Sequence, residues 1–274
     1  MPSTWEIAFD IPEPRLVRPS GVHAFLARVL AEESDAHRNR KPYCLTGVSI
    51  KYGLAVVGVS FINDGAAAIF SDVTAGEDVW FGKSDDNAGT VAAPPRLTRE
   101  ATWEELAEIG PREGWDIELR SPMCFRRGKL SQPWPSPERI LNSLADSWEL
   151  GTREEFPLEF PEVSAFAITD VRLETVRTPL TPTPTAGAVG SLEWRWVPNA
   201  KYAPDTEGAA VVSALLGLAE FSGVGAYTQF GLGQVRVASL EPHSRSNSRA
   251  GNTHANQHRK SSPASASATA NTRG

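Results

Sequence analysis

Two clusters of cations and one glycine-rich stretch are the residues of this sequence that could bind a charged ligand. The cations stand close together, with no acid among them. Glycine lets a backbone approach a phosphate closely and turn its amides toward it. Together, these features indicate a phosphate-bearing partner. The residues concerned are Arg120, Arg126, Arg127 and Lys129 in one cluster, Arg38, Arg40 and Lys41 in the other, and Gly223, Gly225, Gly231 and Gly233 in the stretch.

The same residues have simpler interpretations, which the sequence leaves open. Glycines after a helix also fit a C-cap followed by a bulged strand, and a basic cluster also fits a solvated turn. Tyr227 could stack on a base, since aromatic faces accept any base, whereas Phe230 fits a core position better. The sequence has no Gly-x-x-x-x-Gly-Lys-Ser/Thr pattern, so nucleotide triphosphate binding is not predicted.

Composition limits the class of protein. The 274 residues are 41% hydrophobic, which is enough for one large or two modest domains. A net charge of −6 argues against a generic nucleic-acid coat protein and favours one nucleic acid held in a local basic groove. No signal peptide or membrane span is recognisable, and Cys44 and Cys124 stand far apart. We therefore expect a cytoplasmic protein without a metal site or cofactor.

Periodicity predicts a β-α-β-β-α-β unit in the N-terminal half. Apolar residues alternate along a first strand at positions 5–11, and Ser20 is expected to cap a helix. Strands at 43–50 and 54–62 follow, and then a loop at 82–95. A short helix from Thr102 and a strand at 115–120 complete the predicted unit.

The C-terminal half repeats the pattern. A strand is expected near 123–126, and a helix begins with Ser136 as N-cap and Pro137 at its first position. Strands at 165–177 and 188–197, a helix at 206–221 and a strand at 234–240 follow. The predicted fold is α+β, with two tandem ferredoxin-like (RRM-like) domains at 1–114 and 115–240, each an antiparallel sheet with helices on one face. Residues 241–274 lack apolar periodicity and are predicted to form a disordered tail.

Four segments, in this order, resemble the CRISPR-associated endoribonucleases of the RAMP superfamily, which cut the repeat-spacer transcript into guide RNAs. The resemblance extends over about residues 20 to 240. The segments are His37 ahead of Lys41-Pro42-Tyr43; Ser121 to Arg126 with Pro133-Trp134-Pro135 and the helix at 140–144; Gly187 to Gly190; and Ser222 to Gly225 continuing through Phe230 to Gly233.

The resemblance implies a metal-independent endoribonuclease that cleaves CRISPR repeat RNA. In this reaction the ribose 2′-OH attacks the adjacent phosphate and leaves a 2′,3′-cyclic phosphate and a 5′-OH. His37 is then the candidate general acid or base, and Lys41, or Arg38 or Arg40 beside it, would stabilise the transition-state charge. His23 is the competing histidine and is expected to be half-buried. The implied RNA-binding residues are Arg38, Arg40, Arg126, Arg127, Lys129, Gly223, Gly225, Tyr227, Gly231 and Gly233.

The implied partners are CRISPR repeat RNA, the guide RNA product and other subunits of a CRISPR interference complex. The alternative function is a non-catalytic RAMP subunit that holds guide RNA without cutting it. A small-molecule enzyme or regulator of ferredoxin-like fold is a third interpretation. Against the third stand the basic clusters and the absence of a paired-carboxylate, triad or metal pattern in the sequence.

Overall fold

The computed structural model describes residues 1–30, 41–81, 87–154, 156, 166–180, 184–196 and 206–240. Two antiparallel sheets with packed helices make up this part of the chain, which confirms the predicted α+β class. The candidate residues His37, Arg38 and Arg40 and the predicted tail at 241–274 lie outside the described residues. No helix of the described segments is both long and apolar enough to cross a membrane.

The first sheet has the strand order β2-β3-β1-β5-β4. Its strands are β1 (Ser3–Asp10), β2 (Tyr43–Lys51), β3 (Leu54–Phe61), β4 (Asp78–Trp80) and β5 (Ala88–Glu100). Helices α1 (Pro19–Val29) and α2 (Asp64–Ser71) pack on it. Ile7, Phe9 and Ile11 of the predicted alternation are buried beneath them. The order β2-β3-β1-β5, with its two helices, is that of a ferredoxin-like unit.

Three expectations for this half were wrong. Its second helix is α2, whose Asn63 cap accepts a hydrogen bond from the Ala66 amide at 3.1 Å, and not the helix at Thr102. Its closing strand is β5, which occupies much of the segment predicted as a loop. Helix α1 begins at Pro19 after Arg18, so Ser20 is not its cap; proline is favoured at a first helical position because its missing N–H has no helical partner there.

The second sheet has the order β11-β6-β10-β9. Its strands are β6 (Gly114–Met123), β9 (Phe166–Thr178), β10 (Thr185–Trp196) and β11 (Val235–Ser239), and its helices are α4 (Pro137–Thr152) and α5 (Thr206–Ser222). This is a second ferredoxin-like unit, as predicted. The strand predicted at 115–120 belongs here as β6 rather than to the first sheet. The strand expected near 123–126 is instead the end of β6 and a separate short strand, β7 (Phe125–Arg127).

Two small elements complete the described chain. Helix α3 (Trp103–Ala107) begins at a capping box, in which Thr102 Oγ1 accepts from the Glu105 amide at 3.0 Å and a Glu105 carboxylate oxygen from the Thr102 amide at 2.7 Å. Strands β7 (Phe125–Arg127) and β8 (Leu130–Gln132) form a hairpin between β6 and α4. The division of the chain into domains at 1–114 and 115–240 stays a proposal.

Candidate nucleic-acid interface

The segment from Ser222 to Gln234, called here the glycine loop, joins α5 to β11. Four of its glycines have positive φ, between +63° and +89°. A Cβ on Gly225 would lie 2.3 Å from the carbonyl oxygen of Cys124, and a Cβ on Gly233 would lie 2.0 Å from that of Val224. These two positions therefore require glycine both for their backbone conformation and for close backbone packing.

The amides of the glycine loop donate to acceptors inside the protein. The Gly225 amide donates to Ser143 Oγ at 2.8 Å. The Gly223, Gly231 and Gly233 amides donate at 3.0 Å to the carbonyl oxygens of Ala219, Thr228 and Pro122. The expectation that these amides turn outward toward a phosphate was therefore wrong. Contact between the loop and RNA stays a prediction, and side chains would have to make it.

Tyr227 and Phe230 bracket a 3₁₀ turn at the tip of the loop. Tyr227 has the left-handed φ of 66°, and its carbonyl oxygen accepts from the Phe230 amide at 2.9 Å. Both side chains are half-buried, so Phe230 is not the core residue expected. Its ring meets His23 of α1 edge-on, with 4.6 Å between ring centroids.

His23 links α1, β2 and the glycine loop. Its Nδ1 lies 2.7 Å from the hydroxyl of Tyr43, the first residue of β2. Its half-buried position was predicted, and its two aromatic neighbours were not. The contact with Phe230 and the bond to Tyr43 hold the tip of the glycine loop beside the beginning of β2.

Lys41 lies two residues before Tyr43 and is half-buried. Further along β2, the Leu45 carbonyl oxygen accepts a hydrogen bond from the Gln234 side-chain amide at the end of the glycine loop. The loop thus packs on the strand that follows the candidate Lys41. His37, Arg38 and Arg40 precede Lys41 outside the described residues, and their roles stay predictions.

The predicted basic cluster divides into two places. Arg126, Arg127 and Lys129 are exposed on the β7–β8 hairpin, whose turn has Gly128 at a φ of +59°. Arg120 instead lies on β6, where it pairs with Glu118 at 3.4 Å. The hairpin packs against the glycine loop through Cys124, whose carbonyl oxygen accepts from the Ala226 amide at 2.8 Å. The loop therefore lies between the start of β2 and the basic hairpin.

The two cysteines are poor candidates for reactive groups. Burial raises the pKa of the Cys44 thiol to about 12 and that of Cys124 to about 11. Both therefore stay protonated near neutral pH, where only a thiolate would be a nucleophile or metal ligand. Among the described residues, no group of three or more His, Cys, Asp and Glu side chains could hold a metal ion.

Sequence reasoning missed a polar stripe on α4. Arg139, Asn142 and Asp146 line a groove beside the β7–β8 hairpin, together with Arg126 and Gly225. Their spacing of three and four residues places them on one face of a helix, and that spacing was the available signal. It was overlooked because the apolar face of the same helix determined the prediction.

Comparison with known proteins addresses the same regions. The family described as CRISPR-associated endoribonuclease Cas6 matches residues 117–235, which include the β7–β8 hairpin and the glycine loop. No curated protein is significantly similar in sequence.

Solved structures extend the likeness beyond that segment. A Cas6 product complex is 25% identical, with a TM-score of 0.65 over 87% of this chain and 99% of the other. A Cas6 substrate mimic complex is 26% identical, with a TM-score of 0.61 over 86% and 99%. Thermus thermophilus Cas6, at 22% identity, shares the fold with a TM-score of 0.62 over 87% and 98%. The family match and the two product and substrate mimic complexes confirm the resemblance found in the sequence: the chain is similar to the CRISPR-associated endoribonucleases of the Cas6 family.

Proposed function

We propose that this protein is a metal-independent endoribonuclease that cuts CRISPR repeat RNA in the precursor transcript. The observation that carries the proposal is the position of the glycine loop, which packs on the start of β2 through His23, Tyr43 and Gln234 and on the basic hairpin through Cys124. Similarity to Cas6 structures described as product and substrate mimic complexes supports RNA as the substrate.

The chemistry requires two proton transfers and one source of positive charge. The ribose 2′-oxygen forms a bond to phosphorus as its proton passes to a base. The bond from phosphorus to the 5′-oxygen breaks, and an acid gives that oxygen a proton. The products are a 2′,3′-cyclic phosphate and a 5′-OH, and no water is consumed.

We assign the acid–base role to His37, because histidine exchanges protons near neutral pH. We assign stabilisation of the charged phosphorane to Lys41, whose ammonium would act as a fixed cation. Arg126, Arg127 and Lys129 would hold RNA phosphates, as would Arg38 and Arg40. Tyr227 of the glycine loop would stack on an RNA base.

The first experiment is cleavage of the host's repeat RNA in EDTA by the full chain. Wild type is expected to cut at one site, and a single 2′-deoxy residue at that site is expected to abolish cutting. His37→Ala should reduce the rate by at least about a hundredfold, the low end for acid–base catalysis. The matched control is His258→Ala, a histidine of the C-terminal segment that has no assigned role.

Lys41→Ala tests the cation, and Lys51→Ala is its matched control. Lys51 lies at the opposite end of β2 and pairs with Glu6 at 3.0 Å. We expect a large fall in the rate for Lys41→Ala and a normal rate for Lys51→Ala. Equal rates for the two variants would remove Lys41 from the mechanism.

Two outcomes would change the proposal. If wild type binds repeat RNA tightly and does not cut it, the protein is a guide-RNA-holding subunit. If His37→Ala cuts normally, the enzyme stands and the acid–base role moves to His23. Its position beside Tyr43 and the glycine loop is the observation that makes it the alternative.

A further inference from the structure

Strand β9 forms one edge of the second sheet, where its 13 residues pair with β10 alone among the described strands. An unpaired strand edge presents a row of N–H and C=O groups that another strand can bind. Strand β9 contains no proline or glycine, and its pairing with β10 is regular from Asp170 to Thr178. It therefore has the length and regularity that a further strand would need.

The other edge strands of the two sheets are shorter, and two of them are covered in part. Strand β4 has three residues. Strand β11 has five, and its Val237 amide donates to a Glu220 carboxylate oxygen at 3.0 Å. In β2, the Leu45 carbonyl oxygen accepts from the Gln234 side chain. Such features protect a sheet edge from pairing with another chain.

The backbone of β9 directs the polar groups of alternate residues toward the unpaired edge. The Arg172 carbonyl oxygen points toward β10, because a Cβ on Gly190 of that strand would lie 1.9 Å from it. Successive residues of a strand direct their N–H and C=O groups to opposite edges. Those of Val171, Leu173 and Thr175 therefore point away from β10.

The apolar side chains of β9 are partly uncovered at this edge. Val171 stands opposite the buried Leu192, on the face that α4 and α5 cover, yet it is 43% exposed. Leu173 lies two residues further along the same face and is half-buried at the margin of the core. A strand added beside β9 would cover both side chains, which favours its binding.

The opposite face of β9 carries alternating charges at Asp170, Arg172 and Glu174. Arg172 pairs with Asp170 at 2.7 Å, and its side chain is 77% exposed. Glu174 is also exposed. Opposite charges that stand directly across two strands stabilise their pairing, and like charges destabilise it. These three residues therefore determine which alignments with another strand are favourable.

A second copy of β9 fits this pattern in one alignment best. In an antiparallel pair about a two-fold axis, side chains on the same face stand opposite each other, so the axis passes through a residue. An axis at Arg172 or Glu174 sets like charges opposite each other. An axis at Leu173 sets Arg172 of each copy opposite Glu174 of the other, and Val171 opposite Thr175.

An axis at Val171 would also oppose unlike charges, but the backbone disfavours it. It would bring Thr169 opposite Leu173, and the pairing of β9 shifts register at Thr169. An axis at Leu173 keeps residues 170–176 in the regular part of the strand. The groups of Val171, Leu173 and Thr175 that point to the edge then all find partners.

We propose that β9 pairs with β9 of a second copy of this chain, antiparallel about a two-fold axis at Leu173, so that the two second sheets form one continuous sheet. A surface that complements itself about a two-fold axis is the basis of a symmetric dimer, and addition of a strand to a sheet edge is a common mode of recognition. The inference does not depend on RNA cleavage.

The first test is the mass of the full chain in solution, measured by analytical ultracentrifugation over about 1–100 μM protein, because small interfaces are weak. Wild type is expected to form a dimer whose fraction rises with concentration. Arg172→Glu and Glu174→Arg each set like charges opposite each other and should raise the dissociation constant at least about tenfold. The double variant restores both pairs and should bring the constant back to within about threefold of wild type.

Arg177→Glu is the matched control for Arg172→Glu. It makes the same change of charge at an exposed position of β9 that would stand opposite the uncharged Thr169. Its dissociation constant should stay within about threefold of wild type. Circular dichroism spectra that match wild type would show that each variant remains folded.

Cysteine variants test the alignment. Residues opposite each other in a hydrogen-bonded pair have Cα atoms about 5.5 Å apart, which a disulfide can span. Under oxidation, Leu173→Cys should give a disulfide-linked dimer on a non-reducing gel. Val171→Cys is the control and should stay a single chain, because the two copies of residue 171 would be far apart. The natural Cys44 and Cys124 are buried.

Three outcomes would overturn the inference. If wild type is a monomer at every concentration, any occupant of this edge is a different protein. If the double charge variant stays as dissociated as the single ones, Arg172 and Glu174 do not face each other across the axis. If Val171→Cys forms the disulfide and Leu173→Cys does not, the axis does not pass through Leu173. A dimer with the expected charge and disulfide patterns supports the inference whether or not the protein cuts repeat RNA.

Discussion

At the scale of single residues, Gly225 of the glycine loop and Gly76, which lies outside it, show that two glycines with nearly the same φ can differ in importance. Gly225 and Gly76 have φ values of +89° and +86°. Alanine at Gly76 would meet no atom within 4 Å, whereas at Gly225 it would lie 2.3 Å from the Cys124 carbonyl oxygen. The left-handed backbone conformation makes both substitutions lose a similar amount of stability. Only the substitution at Gly225 also forces a steric clash.

We predict that Gly76→Ala lowers the free energy of unfolding by about 1–2 kcal/mol, the cost of a left-handed alanine. Gly225→Ala should lower it by about 1–3 kcal/mol more, because the backbone must shift to admit the methyl group. Urea denaturation of the two variants measures the difference. Equal losses would mean that the backbone around Gly225 shifts to admit the methyl group with no further loss of free energy of unfolding.

Glu6 provides a prediction about pH. Its carboxylate accepts hydrogen bonds from Lys51 at 3.0 Å and Arg96 at 2.7 Å, and these contacts lower the pKa of Glu6 below its usual 4.5. A carboxylate with a lowered pKa stabilises the fold above its unfolded pKa and loses that contribution as pH falls through the folded value.

Glu6→Gln should therefore lower the free energy of unfolding at pH 7, by less than about 1 kcal/mol because the pairs are on the surface. The difference from wild type should shrink as pH falls below about 4. Urea denaturation at pH 7, 5 and 3.5 measures it. A difference that grows with acidity would contradict the assignment.

At the scale of elements, α4 supports the glycine loop through one hydroxyl. Ser143 is buried, and its Oγ accepts the Gly225 amide at 2.8 Å. Ser143→Ala should leave that amide unsatisfied and lower the free energy of unfolding by about 1–3 kcal/mol. Hydrogen exchange at the Gly225 amide should also be faster in Ser143→Ala than in wild type.

Ser147→Ala is the matched control for Ser143→Ala. Ser147 is also buried on α4, and its hydroxyl donates back to the Ser143 carbonyl oxygen at 3.0 Å. Its loss should change exchange at Gly225 little. If both variants accelerate that exchange equally, helix packing rather than the hydroxyl controls the loop.

The elements also show what the sequence could and could not predict. Strands and helices with strong periodicity, such as β1, β3 and α4, were predicted within a few residues. Much of strand β5 was taken for a loop because residues 82–95 are rich in Gly, Asp, Ala and Pro, and Pro94 and Pro95 end that segment. In the structure these prolines fall where the pairing shifts register, between Ala93 opposite Ala8 and Arg96 opposite Glu6. Prolines lack the amide that a regular ladder needs, and a bulge accommodates them.

The candidate site was predictable in part, for a related reason. The order of the basic hairpin and the glycine loop could be identified along the chain. Which acceptors face the loop amides depends on contacts between distant segments, such as Ser143 with Gly225 and Pro122 with Gly233. The junction of His23, Tyr43 and Phe230 likewise joins three elements far apart in sequence. The local sequence pattern of each element does not indicate such contacts between distant segments.

At the scale of the molecule, Arg99 of β5 and Glu220 of α5 tie the first sheet to the second half of the chain. Glu220 also accepts the Val237 amide at 3.0 Å, and the Arg99 guanidinium lies 4.6 Å from the centroid of the Phe221 ring. Arg96, three residues earlier on β5, pairs with Glu6 within its own sheet. Arg99 therefore joins the first sheet to α5, whereas Arg96 makes a contact within one sheet.

We predict that Arg99→Ala lowers the free energy of unfolding by about 1–3 kcal/mol, because it removes an ion pair and a cation–π contact together. Arg96→Ala should cost less than about 1 kcal/mol, since it removes an exposed surface pair. The cost of Arg99→Ala should persist at 0.5 M salt more than that of Arg96→Ala, because the Glu220 side chain is only 22% exposed and its pair is less screened. Urea denaturation at low and high salt measures both. Equal costs with equal salt dependence would show that the Arg99–Glu220 pair adds nothing beyond an ordinary surface contact.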